Sequence, residues 1–116
     1  MTIRHCLALD LRDDLALIDR YEAWHRPGGV PTAVLRSIRD ADIVEMEIWR
    51  VGARLFMIME VGPDFSPEAK ASADMASKDV QAWERLMSWF QAPLPDTEPG
   101  EKWRPLQRIF ALSEQS

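Results

Sequence analysis

Two side chains able to hold or move protons stand one helical turn apart near the N-terminus, Tyr21 and His25 in the stretch Tyr-Glu-Ala-Trp-His. An imidazole is the side chain whose ordinary titration falls near neutral pH, and a phenol is a strong hydrogen-bond donor that stays protonated there. Upstream, Asp13 and Asp14 suit a helix start, and Leu17, Ile18, Tyr21 and Trp24 recur at helical spacing. Tyr21 and His25 therefore share a face with Leu17. Pro27, Gly28 and Gly29 end the helix near His25. The imidazole then sits in the last turn of an apolar face, beside a loop free to shape a pocket. There the helix dipole favours the imidazolium by about 0.3–1 kcal/mol, and burial opposes it. A group balanced in this way both gives and takes protons near neutral pH. Two plainer readings stand beside that one. A lone His on an apolar helix face also serves as a hydrogen-bonded core residue, and Tyr21 as core packing with its hydroxyl reaching a partner at the core edge.

The elements that must position this pair follow from periodicity and turn chemistry. Residues Thr2 to Leu11 read as a strand and Asp13 to His25 as the first helix. Pro31 suits a first helical position, and Val34, Leu35 and Ile38 form a second apolar face. From Ile43 to Arg50 the chain alternates, with Val44, Met46 and Ile48 on one face and Glu45, Glu47 and Trp49 on the other. Carboxylates make good bases, but alternating glutamates commonly form a solvated face. After the turn Val51-Gly52-Ala53, residues Arg54 to Val61 return as a strand apolar on both faces, completing a hairpin. Ser66 with Pro67 opens a helical segment, and Ser77 caps another in which Val80, Trp83, Met87 and Phe90 share a face. Residues 91–105, with four prolines and Gly100, read as an extended surface connection. Leu106 to Leu112 reads as the closing strand, and Ser113 to Ser116 as a tail. The order is β-α-β-β-α-β, the split βαβ pattern of a ferredoxin-like α+β sandwich. Such a sheet carries its helices on one face. A second copy is the simplest cover for the other, so a homodimer, a dimeric α+β barrel, is expected.

With 116 residues, 47% of them hydrophobic, the chain reads as one domain over residues 1–116. A net charge of −5 and scattered basic residues argue against nucleic acid or an anionic membrane surface as partner. The longest apolar run, Leu55 to Met59, is too short to span a bilayer. The N-terminus lacks a signal peptide's apolar region, and the single Cys6, read as a small buried hydrophobe, fits a cytoplasmic protein. Neither His5 nor His25 belongs to a cluster with metal-ligand spacing, so no metal site is expected. Five tryptophans against one tyrosine are many for this length. Trp is favoured where a flat apolar face meets something half-polar, such as a sugar ring, although core or interface packing uses it equally.

These residues together resemble the L-rhamnose mutarotase family. The resemblance runs through Tyr21-x-x-x-His25-x-Pro27, then Ile48-Trp49-Arg50, Leu55-Phe56 and Met59-Glu60-Val61 of the hairpin. It continues through Trp83 and Leu106-Gln107-x-x-Phe110-x-Leu112. It implies a small dimeric ferredoxin-like enzyme that interconverts the anomers of a monosaccharide without metal or cofactor. It places the catalytic histidine at His25, a sugar-contacting tyrosine at Tyr21, and the first of a pair of helix tryptophans at Trp83. In that reading His25 donates and recovers the ring-oxygen proton, Tyr21 orients a hydroxyl, and Trp83 faces the C–H side of the sugar. Two positions depart from the pattern: a family tyrosine in the hairpin is Met46, and the second helix tryptophan is Glu84. Methionine offers a hydroxyl no useful partner, whereas glutamate accepts strongly. Both positions would select the sugar rather than move the proton, which favours L-fucose, with L-rhamnose next. Two rival readings remain at this level. One is a small ferredoxin-like monooxygenase or haem-binding protein using His25 and Trp83, and the other a non-catalytic ligand-binding domain.

Overall fold

A computed structural model describes residues 2–115; Met1 and Ser116 lie outside the described residues. The chain runs β1 (Ile3–Leu11), α1 (Leu15–Trp24), α2 (Thr32–Asp40), β2 (Ile43–Val51), β3 (Arg54–Val61), α3 (Pro67–Ala76) and α4 (Lys78–Phe90). The short pieces β4 (Gln91–Ala92) and β5 (Arg104–Pro105) follow, then a 3-10 turn at Leu112–Glu114. Helix starts are locally encoded. Asp14 accepts from the Leu17 amide at 3.1 Å, Ser66 from the Ala69 amide at 3.1 Å, and Ser77 from the Val80 amide at 3.2 Å. Each side chain satisfies an amide that the first helical turn leaves without a partner. Pro31 stands one place before the second helix rather than inside it.

The strands form an antiparallel sheet in the order β2-β3-β1-β4, with β5 also on β1. This is the arrangement of a ferredoxin-like α+β sandwich. Leu9 opposite Leu55 and Leu7 opposite Met57 put one set of side chains on the helix side. There Leu11, Leu55, Ile18, Tyr21, Met87 and Phe90 make one buried cluster. Phe90, Leu9 and Leu55 are the largest side chains wholly removed from water, and each such burial contributes about 1.5–3 kcal/mol.

Three expectations are corrected. Residues 106–111 are not a strand; the closing strand is split into β4 and β5, both paired with β1 and separated by the excursion 93–103. Beyond the bond from the Leu106 amide to the Cys6 carbonyl, 2.8 Å, the chain leaves the edge of β1. Ile109, Phe110 and Leu112 are then exposed. Apolar sequence suffices to suggest a strand, but pairing is decided at long range: the edge of β1 continues to Ile3, and the chain turns away from it. Second, Cys6 is exposed, because it points to the sheet face opposite the helices. Third, β2 does not alternate throughout: a bulge at Val44 breaks the register between Ile43 and Glu45, so Ile43 is buried and Val44 exposed.

Candidate active site

The end of α1 determines where the imidazole lies. Gly28 takes φ +88°, and Gly29 folds so tightly onto the helix end that a Cβ would stand 2.4 Å from the Trp24 carbonyl oxygen. Only glycine accommodates that approach. The loop thus closes over the last turn and presents Val30 to the cavity described below. Glu22 on α1 accepts from Arg50 of β2 at 2.5 Å, tying the helix to the edge of the sheet.

His25 Nδ1 lies 2.7 Å from the Tyr21 carbonyl oxygen. A carbonyl only accepts, so Nδ1 carries the hydrogen and the neutral ring keeps its lone pair on Nε2. Nε2 has no hydrogen-bond partner among the described residues. The ring is held between aromatic neighbours, with the Tyr21 centroid 4.3 Å away and the Trp83 centroid 5.5 Å away and steeply inclined. Trp24 packs edge-on against Trp83 at 6.1 Å and steadies that indole. Burial outweighs the hydrogen bond to the Tyr21 carbonyl and pulls the His25 pKa below its ordinary 6.5. Burial also pushes Tyr21 above 10.0, against a hydrogen bond from the Gln91 side chain that works the other way. Tyr21 belongs to the buried cluster and also lines the cavity.

That cavity, about 710 Å³, opens between the helices and the sheet. It falls within the roughly 300–1,000 Å³ usual for small-molecule sites. Met46, Ile48 and Met57 come from the sheet, Val34 and Ile38 from α2, and Val80, Trp83, Glu84 and Met87 from α4. All five residues singled out from the sequence, Tyr21, His25, Met46, Trp83 and Glu84, line this one space. Glu84 is steadied by Gln81, whose Nε2 donates to Oε2 at 3.4 Å. The two hairpin glutamates part company: Glu45, beside the bulge, reaches the cavity rim, whereas Glu47 accepts from the Trp49 indole at 3.3 Å. Among the described residues, no group of three or more His, Cys, Asp or Glu side chains is placed to hold a metal ion.

Sequence reasoning missed several cavity residues. Lys70, paired with Asp74 and donating to Ser37 at 3.3 Å, forms a half-buried polar knot where α2 and α3 meet the cavity. Lys102 and Trp103 reach it from the 93–103 excursion, with Lys102 donating to the Glu84 carbonyl at 3.3 Å. Gln91 reaches it from the end of α4. For Gln91 a signal existed: Trp83, Met87 and Gln91 recur every four residues. The others depend on how distant segments meet and had no local sign.

The crystal structure of an L-rhamnose mutarotase from Formosa agariphila matches this fold with a TM-score of 0.67, covering 95% of this chain and 98% of that one. At 18% identity that likeness speaks for the fold. The family model described as L-rhamnose mutarotase matches residues 4–112. An L-fucose mutarotase of Xanthomonas campestris pv. campestris is 55% identical over 111 residues, 96% of this chain and 89% of that protein. A UPF0734 protein of Dictyostelium discoideum is 31% identical over 90% of this chain and 86% of its own length. The class is thus a carbohydrate isomerase of mutarotase type, an enzyme that interconverts sugar anomers. Within that class the chain belongs to the L-rhamnose mutarotase family. The monooxygenase and non-catalytic binding readings give way to this one.

Proposed function

We propose that the protein is an L-fucose mutarotase, one domain over residues 1–116 acting in the cytoplasm as a homodimer. The observation that carries the chemistry is the imidazole fixed as the Nδ1–H tautomer, with Nε2 free at the wall of a cavity. The sugar is inferred from the 55% identical L-fucose mutarotase, together with Met46 and Glu84 in that cavity.

Exchange of anomers opens and recloses the pyranose ring. The anomeric hydroxyl loses its proton while the C1–O5 bond breaks, its electron pair goes to O5, and O5 takes up a proton. The aldehyde end rotates about C1–C2 and closes on its other face. Every step is a proton transfer coupled to one C–O bond, so no cofactor is called for. With its pKa drawn below 6.5, His25 rests neutral at pH 7 and begins by accepting a proton at Nε2. The resulting imidazolium, still held through Nδ1, gives that proton to O5 as the C1–O5 bond breaks, and the same two transfers in reverse close the ring on its other face. This order reverses the one implied by the family resemblance, in which the imidazole donates first. Tyr21 donates to a sugar hydroxyl, and Trp83 offers its face to the C–H side. The test is proton NMR at equilibrium with L-fucose. Saturation of one anomeric signal transfers to the other in proportion to enzyme concentration; transfer equal to that in buffer alone would refute the proposal.

The dimer is inferred from two apolar surfaces. Residues of all four helices meet the sheet on one side, and the other side carries Phe56 and Trp49 in one row, with Cys6 and Ile58 beside it. Trp49 is 59% exposed. The arm after Leu106 adds Ile109 at 91% exposure and Phe110 at 63%. The radius of gyration, 15.1 Å, exceeds the ~13 Å of a compact chain this long. A second copy covers both surfaces. Light scattering at micromolar concentration is expected to give about twice the 13.3 kDa chain mass, and Trp49→Glu to lower it; a monomeric wild type would overturn the inference. The exposed thiol of Cys6 suits a reducing cytoplasm.

A further inference from the structure

Gln91 stands at the junction of α4 and β4, where its backbone amide still donates to the Ser88 carbonyl and its extended backbone pairs with Leu11 across the sheet. Its side chain lines the cavity beside Tyr21 and Met87. Its Oε1 is withdrawn from solvent and has no hydrogen-bond partner among the described residues. The Tyr21 hydroxyl end lines the same cavity. Two side chains of one cavity wall therefore offer a donor, the Tyr21 O–H, and an acceptor, Gln91 Oε1. A buried acceptor without a partner is costly, and native structures keep few of them without a purpose.

We propose that Gln91 is a sugar-binding residue: its Oε1 accepts a hydrogen bond from a ring hydroxyl adjacent to the one that Tyr21 contacts. Donor and acceptor side by side match two neighbouring hydroxyls on a pyranose, one accepting and one donating. This inference rests on the mutarotase reading and adds a determinant to it. It is independent of Met46 and Glu84, which come from β2 and from two turns earlier on α4.

The test pairs a protein change with a sugar change. Wild type and Gln91→Met, which keeps side-chain length but offers no oxygen, are compared on L-fucose and on its 2-, 3- and 4-deoxy analogues by saturation transfer. For wild type, one of the three analogues is expected to lose about 5- to 150-fold in exchange, the range for an unpaired buried polar group. Gln91→Met is expected to lose a similar factor on L-fucose and little more on that analogue, because protein and sugar changes remove the same bond. Gln91→Glu, which keeps an oxygen in the same place, is expected to retain the discrimination. Circular dichroism verifies that each variant is folded. Equal losses by Gln91→Met on all four sugars would overturn the assignment, as would a wild type indifferent to all three deletions. Failure of the underlying reading has a different signature: wild type would then exchange L-fucose no faster than buffer.

Discussion

Replacing His25 with Asn is expected to slow catalysed anomer exchange by about 10²–10⁴-fold while the circular dichroism spectrum and melting temperature stay close to wild type. The amide keeps a donor able to satisfy the Tyr21 carbonyl, so the helix end loses little. What disappears is the basic nitrogen at Nε2. The pH profile distinguishes the direction of the first transfer. Since burial lowers the His25 pKa below 6.5 and the neutral ring starts the reaction, exchange is expected to be flat through neutral and mildly alkaline pH. It falls on the acid side, at a pH below 6.5. An enzyme whose rate instead falls as the pH rises through neutrality would show that the imidazolium starts the reaction. Stability follows the same sign. The unfolded chain binds the proton more readily than the folded one, so the contribution of His25 is complete above 6.5 and is lost as the pH falls through the folded pKa. A variant that unfolds would make His25 a core histidine, and one that exchanges at the wild-type rate would place the base elsewhere.

The enzyme is expected to exchange L-fucose faster than L-rhamnose by about 5- to 150-fold, the consequence of about 1–3 kcal/mol for one hydroxyl buried without its partner. The two sugars differ in the orientation of the hydroxyls at C2 and C4. On the cavity wall the methionine at 46 offers no strong partner, whereas Glu84, steadied by Gln81, is a strong acceptor. A hydroxyl that meets Glu84 in one sugar therefore turns away from it in the other. Met46→Tyr together with Glu84→Trp removes that acceptor and restores a phenol and a second indole, and the preference is expected to move towards L-rhamnose. Saturation transfer with both sugars at equal concentration measures the ratio. Equal rates in wild type, or an unchanged ratio in the double variant, would show that these positions do not choose the sugar.

Much of this protein follows from short-range chemistry that a sequence displays openly. The helix caps at Asp14, Ser66 and Ser77 are made by side chains three residues from their amides, and they form as expected. Tyr21 and His25 share a face because helical geometry allows nothing else at a spacing of four. Met46 and Trp83 are placed likewise by strand and helix periodicity, so the cavity could be sketched before any coordinates. The hairpin and the element order identify the fold for the same reason. Other features depend on what distant segments meet. The apolar run 106–112 has the composition of a strand, yet a strand needs an edge to pair with, and β1 is abandoned after Leu106 in favour of an exposed arm. Cys6 is exposed because its side chain points away from the helices, which its own run of residues does not reveal. Glu45 and Glu47 look equivalent in sequence, and a single extra residue in β2 sends one to the cavity rim and the other to an indole. Gln91 gains its meaning only from where the end of α4 packs, because burial turns an ordinary amide oxygen into an acceptor in need of a hydroxyl.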